Sequence, residues 1–150
     1  MSTDMPSGRI FVDTNVLISA VANRSPHYFH ARGLLSRIEQ GDVEAWISRQ
    51  VLREVMSGMS RPQAFARPFL PAEILQTVQE YEAMFVVAED QPIVTQQLYL
   101  LLGQIAFGGK QVYDANIVAT MIAYSIPRLV TYNVEDFRRF AGLIQVSDEA

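Results

Sequence analysis

The feature that most constrains this chain is Ile10-Phe11-Val12, three apolar, β-prone residues closed by Asp13. Thr14-Asn15 follows, and Val16 to Val21 opens a second apolar segment. A run this short and apolar reads as a buried strand, and the segment after it as a helix. The alternation recurs. Strands are expected near Arg9–Val12, Val43–Ile47, Phe85–Val87, Leu129–Thr131 and Ile144–Val146. Helices are expected over Asn15–Ala22, from Ser25-Pro26 to about Gln40, and over Arg49–Ser57, Pro71–Met84, Pro92–Phe107 and Val112–Ser125, with a last short one ending at Phe140. Short strands separated by helices imply an α/β fold. The expected form is a three-layer α/β/α sandwich with a mainly parallel central sheet of four to five short strands. Right-handed crossovers put the strand C-termini along one edge, where open α/β sheets bind ligands.

Helical spacing supplies the inner faces. Phe29, Leu34, Leu35 and Ile38 are expected inside the second helix, and Val51, Leu52, Val55 and Met56 inside the third. Gly58 to Pro71, with Arg61 and Arg67, reads as an irregular, locally basic connection. Residues 1–8 read as a loose polar tail and 9–147 as one domain. With no apolar leader and no run near membrane-spanning length, the expectation is a cytoplasmic protein with no membrane association. The chain has no cysteine, which excludes disulfide frameworks, thiolate metal sites and a cysteine nucleophile. Its net charge of −4 argues against a general nucleic-acid coat protein but leaves room for a local basic patch.

Five residues fall where this topology lets them share one sheet edge. Asp13 ends the first strand, Glu54 flanks the inner face of the third helix, and Asp114 lies in the first turn of the apolar helix after Val112. Asn133 and Asp136 follow the fourth strand. Each has an ordinary structural alternative: Asp13 as a helix cap, Glu54 and Asp136 as solvated acids, Asp114 as a partner of the helix dipole. Together they form a cluster whose mutual repulsion requires a cation or a proton. An all-oxygen, sulfur-free set suits Mg²⁺ or Mn²⁺, which can activate water and stabilise an in-line phosphoryl displacement.

Four stretches carry a family likeness: Phe11-Val12-Asp13-Thr14-Asn15-Val16-Leu17, Val51-Leu52-Arg53-Glu54-Val55, Val112 to Ala119 with Tyr113-Asp114-Ala115, and Leu129 to Phe137 with Thr131-Tyr132-Asn133 and Asp136. In this order the chain resembles the PIN-domain ribonucleases, and within them the VapC-type toxins of toxin–antitoxin pairs, from Ile10 to Val146. The resemblance implies a Mg²⁺- or Mn²⁺-dependent endoribonuclease that leaves a 5′-phosphate, with Asp13, Glu54 and Asp114 as catalytic metal ligands. At the family's fourth position the expectation is Asp136, with Asn133 assisting. Thr14 and Asn15 are expected to fix the loop that aims Asp13, and Thr131 to hydrogen-bond a ligand or water. The implied partners are RNA, a cognate antitoxin and a second copy of the chain. The helices at His27–Gln40 and Pro92–Phe107 are candidate surfaces for the two protein partners.

Arg49, Arg53 and Lys110 are the expected RNA contacts, and Arg24, Arg61 and Arg67 are further candidates for phosphate. His27 and His30 are one helical turn apart but lack a further ligand nearby, so they read as a surface or core-edge pair. Two other classes compete. A phosphatase of the haloacid dehalogenase type needs a second aspartate two residues after the first, where this chain has Asn15. A catalytically inactive PIN-like module that binds RNA or protein fits the acidic balance and the Asn133 substitution.

Overall fold

A computed structural model of the chain describes residues 8–61 and 67–149. Most of the expected tail, and part of the expected Gly58–Pro71 connection, lie outside the described residues.

The strands are β1 (Arg9–Val12), β2 (Glu44–Ser48), β3 (Val86–Ala88), β4 (Arg128–Val130) and β5 (Gln145–Ser147). The helices are α1 (Thr14–Ser19), α2 (Tyr28–Glu39), α3 (Arg49–Met59), α4 (Pro71–Met84), α5 (Pro92–Gln104) and α6 (Gln111–Ala123), with a 3-10 helix at Val134–Phe140. The strands form one sheet in the order β3-β2-β1-β4-β5, and every neighbouring pair is parallel. The expected α/β class is therefore observed, with five strands and no antiparallel pair among the described residues.

The strand order dictates the layers. The chain moves outward from β1 through β2 to β3, then returns across the sheet to β4 and β5. Right-handed crossovers in opposite directions place their helices on opposite faces. Accordingly α1 packs on α2 and α3, and α3 on α4, while α6 packs on α5 and the 3-10 helix. The reversal of direction puts a topological switch point between β1 and β4.

The central strand carries the core. Ile10, Phe11 and Val12 have no solvent exposure, because helices cover both faces. Ile47, Leu129 and Val130 continue the buried layer. On α6, Ala115, Val118, Ala119 and Met121 are fully buried, so this helix is apolar on most sides. Full burial of each larger aliphatic side chain is worth roughly 1.5–3 kcal/mol, which anchors α6 and fixes where Asp114 emerges.

Two inner-face assignments are corrected. Phe29 is 86% exposed. The inner face of α2 is Ala31, Leu34, Leu35 and Ile38, spaced i, i+3, i+4 and i+7, and Phe29 falls nearly opposite Ala31 on the helical wheel. The expected start at Ser25-Pro26 is displaced as well. The Ser25 hydroxyl accepts from the His27 amide, and helix geometry begins only at Tyr28. On α3, Met56 lies at the edge of the apolar face and is exposed, while Met59 is buried in the core. Helix α1 ends at Ser19 rather than Ala22, and α5 ends at Gln104 rather than Phe107.

Candidate functional site

Asp13 is the first residue past β1, and Thr131 the first past β4, so both stand at the switch point. The ladder continues into them through the Asp13 amide, which donates to the Val130 carbonyl at 3.0 Å. Asp13 caps α1: its Oδ1 accepts from the Thr14 amide at 2.8 Å. Its Oδ2 accepts from the Thr131 hydroxyl at 2.9 Å and from Asn15 Nδ2 at 3.2 Å. The cap and the site are thus the same carboxylate.

A second tier holds these partners. Asn15 Nδ2 also donates to Thr131 Oγ1 at 3.1 Å, and its Oδ1 accepts from the Tyr132 amide at 3.0 Å. Thr131 Oγ1 accepts from the Asn133 amide at 3.0 Å. Thr131 has no solvent exposure, so its hydroxyl is committed to this knot. Tyr132 leads to the histidine pair: His27 stacks on its ring at 4.0 Å, and His30 Nδ1 lies 2.7 Å from its hydroxyl. The two histidines therefore brace a tyrosine beside the site.

Glu54 reaches the same cleft from α3. The Thr14 hydroxyl donates to its Oε1 at 2.7 Å, and Gln50 Nε2, one turn earlier, donates to its Oε2 at 3.2 Å. Asn116 Nδ2 donates in turn to Gln50 Oε1 at 2.9 Å, which ties α6 to α3. Gln50 and Asn116 were not singled out by sequence. Asn116 lies within the family-like stretch Val112 to Ala119, two residues after Asp114, with no role assigned to it there, and the sequence signal for Gln50 is its spacing, four residues before Glu54.

The cleft has a volume of about 480 Å³ and is lined by Asp13, Thr14, Asn15, Glu54, Asp114 and Asn133, with Arg61 as its cation. Asp136 sits exposed on the 3-10 helix and acts on the cleft through its charge. Of the expected RNA contacts, Arg53 is exposed and lines a neighbouring cavity, and Lys110 is exposed just before α6. Arg49 is engaged, donating to Glu82 at 2.5 Å and to both Glu89 oxygens at 3.0 and 2.7 Å. Arg67 is likewise paired with Glu73.

Electrostatics set the character of the cleft. Burial raises the Asp13 carboxyl above its usual value; its hydrogen bonds from Thr131 and Thr14 oppose this, and the charges of Glu54 and Asp136 add to it. Asp114, half-buried, is raised to about 6, first by desolvation and then by the charges of Asp13, Asp136 and Glu54. The cleft is short of positive charge. Its donors are hard oxygens, the kind that suit Mg²⁺ or Mn²⁺. Among the described residues, however, no three His, Asp or Glu side chains form an assembled ion-holding group. Glu54 is turned toward Thr14 and Gln50, which hold its two oxygens.

The PIN domain family model matches residues 10–143, and the chain belongs to the PIN-domain family. Comparison with curated proteins returns no match. Among solved structures, the fold is similar to VapC20 of Mycobacterium tuberculosis, a Sarcin-Ricin loop cleaving toxin, with a TM-score of 0.67 at 17% identity over 91% of this chain and 98% of that one. It is also similar to VapBC2 from Rickettsia felis bound to a promoter DNA fragment, with a TM-score of 0.64 at 20% identity over 93% and 97%. A toxin–antitoxin complex from Klebsiella pneumoniae gives 0.64 at 21% identity over 92% and 95%. Among the described residues, no helix is long and apolar enough to cross a membrane.

Proposed function

We propose that this chain is a metal-dependent endoribonuclease that hydrolyses RNA phosphodiester bonds, and that it acts as the toxin of a type II toxin–antitoxin pair. The observation that carries the reading is the buried Asp13 carboxylate at the β1/β4 switch point, facing Asp114 and Glu54 in a cleft short of positive charge. Membership of a family whose members are typically nucleases supports it. The VapC20 likeness supports RNA as substrate, and the two toxin–antitoxin complexes support an antitoxin partner. A homodimer and a cytoplasmic setting belong to the same reading.

Asp13, Glu54 and Asp114 would hold Mg²⁺ or Mn²⁺, with Asp136 adding charge and Asn133 a neutral oxygen. The bound ion supplies Lewis acidity, acidifying water and offsetting charge on the phosphate oxygens. The protein does the rest. Thr131, Asn15 and the Thr14 amide hold Asp13 in one orientation, so it needs no reorganisation when substrate arrives. Thr14 and Gln50 hold Glu54 at the opposite wall. Desolvation and its acidic neighbours raise the Asp114 carboxyl to about 6, so an offsetting positive charge would favour its ionised form.

The test is cleavage of a labelled single-stranded RNA pool by the purified chain with Mg²⁺ or Mn²⁺ and with chelator. Wild type cuts, leaving 5′-phosphate ends; chelator stops it. Asp13→Asn and Asp114→Asn lose at least a hundredfold in rate while remaining folded. RNA that is bound but never cut, whatever the metal, would favour the non-catalytic module. A wild-type rate in either variant refutes the site assignment.

A further inference from the structure

A second cavity, of about 330 Å³, lies beside the acid cleft, and the reading of the cleft as an RNA-cutting site gives it no role. Gln50, Glu54 and Ser57 line both cavities, so they form the wall between them. Arg53, on the same face of α3 as these three, lines the cavity with Asp90, Tyr113 and Asn116.

The chemistry of this cavity distinguishes what can enter. Its carboxylates are Glu54, Glu89 and Asp90. Of its two cations, Arg49 and Arg53, Arg49 is already bound to Glu82 and Glu89. The balance inside is acidic, so a phosphate is repelled. The volume is at the small end of the roughly 300–1,000 Å³ of ligand sites, room for a single heterocycle. Tyr113 at the rim is 60% exposed, and its ring has no aromatic partner among the described residues. Asn116 spends Nδ2 on Gln50, which leaves Oδ1 to accept. Arg53 is exposed and offers donors. A free aromatic face with an amide and a guanidinium beside it is the set that reads unstacked bases of single-stranded RNA.

The geometry points to a nucleobase pocket: the base next to the scissile phosphate turns into this cavity, stacks on Tyr113 and presents its edge to Asn116 and Arg53. The backbone stays at the mouth, along the acid cleft. The inference rests on the nuclease reading for the position of the phosphate, but its test does not require cleavage. Because the Asn116–Gln50–Glu54 chain crosses the shared wall, the base sits one hydrogen-bonded step from the residue that holds Glu54.

The experiment measures binding of a short labelled single-stranded RNA to the full chain carrying Asp114→Asn, in Mg²⁺ buffer. A single abasic nucleotide is placed in turn at each position. One position is expected to weaken binding about tenfold, the size of one lost base–aromatic stack. Tyr113→Ala added to the same chain weakens the intact RNA by a similar factor and no longer senses that abasic position. Tyr113→Phe restores both. The side chain is exposed, so these variants fold. Equal affinity of the Tyr113→Ala chain for intact RNA, or an abasic effect that persists in it, overturns the pocket. If wild type fails to cut but the abasic and Tyr113 effects coincide, the nuclease reading fails and the pocket stands. If wild type cuts and Tyr113→Ala binds unchanged, the pocket fails and the nuclease reading stands.

Discussion

Replacing Asp114 by Asn is expected to stabilise the metal-free protein. The unfolded carboxyl ionises near 3.8 and the folded one near 6, because desolvation and the charges of Asp13, Asp136 and Glu54 disfavour the carboxylate. At 1.36 kcal/mol per pH unit, full shelter would impose roughly 3 kcal/mol on the ionised form, and solvent screening of a half-buried group reduces this to about 1 kcal/mol. The sign follows from the direction. Below about pH 4 both states are protonated and nothing is lost; as pH rises toward about 6 the folded state holds a proton that the unfolded state has released, and the penalty grows to its full value. Asn at this position removes the penalty without changing shape. Urea unfolding in chelator should therefore show Asp114→Asn more stable by about 1 kcal/mol at pH 7.5, and thermal unfolding a midpoint higher by about 2–4 °C, with the two proteins converging near pH 4. Adding Mg²⁺ should reverse the order, because an ion bound only by the folded form stabilises wild type more than the variant. Equal stability in chelator at neutral pH, or a difference that persists unchanged at pH 4, would refute the electrostatic account of the cleft.

Two further substitutions probe the frame around the site. Thr131→Val keeps the volume of a fully buried side chain but leaves Asp13, Asn15 and the Asn133 amide each short of a partner; chemical denaturation should show a loss of about 1–3 kcal/mol, and no loss would mean that Asp13 is held without it. In α2, Phe29→Ser should change stability by less than about 0.5 kcal/mol because the ring is in solvent, whereas Leu34→Ala in the same helix should cost about 2–5 kcal/mol. The reverse ranking would contradict the burial pattern.

What sequence conveyed and what it did not divides along a physical line. Ile10-Phe11-Val12 followed by Asp13 announced a buried strand, because a run covered on both faces has no polar alternation. The edge shared by Asp13, Asp114 and Asn133 followed from parallel topology. Phe29 went astray because it was assigned by its apolarity rather than its phase: Ala31, a smaller residue, is the one in register with Leu34, Leu35 and Ile38. Gln50 and Asn116 were invisible for another reason. Their link spans α3 and α6, 66 positions apart, and no local pattern marks two amides that meet only when the sheet is formed. The same holds for Arg49, whose two carboxylate partners come from α4 and the turn after β3.

The placement of β1 in the middle of the sheet also imposes an order of assembly. One edge of β1 pairs with β2, which follows it closely, but the other waits for β4. Asp13 and Thr131 are 118 positions apart. At roughly 5–20 residues per second, on the order of ten seconds of synthesis separate them. Until then the nascent chain carries Asp13, Glu54 and eventually Asp114 without the strand and hydroxyl that orient the first of them. A product released before β4 would keep these acids yet lack the ladder that aims them, so translation must run past β4 and Thr131 before the cleft exists.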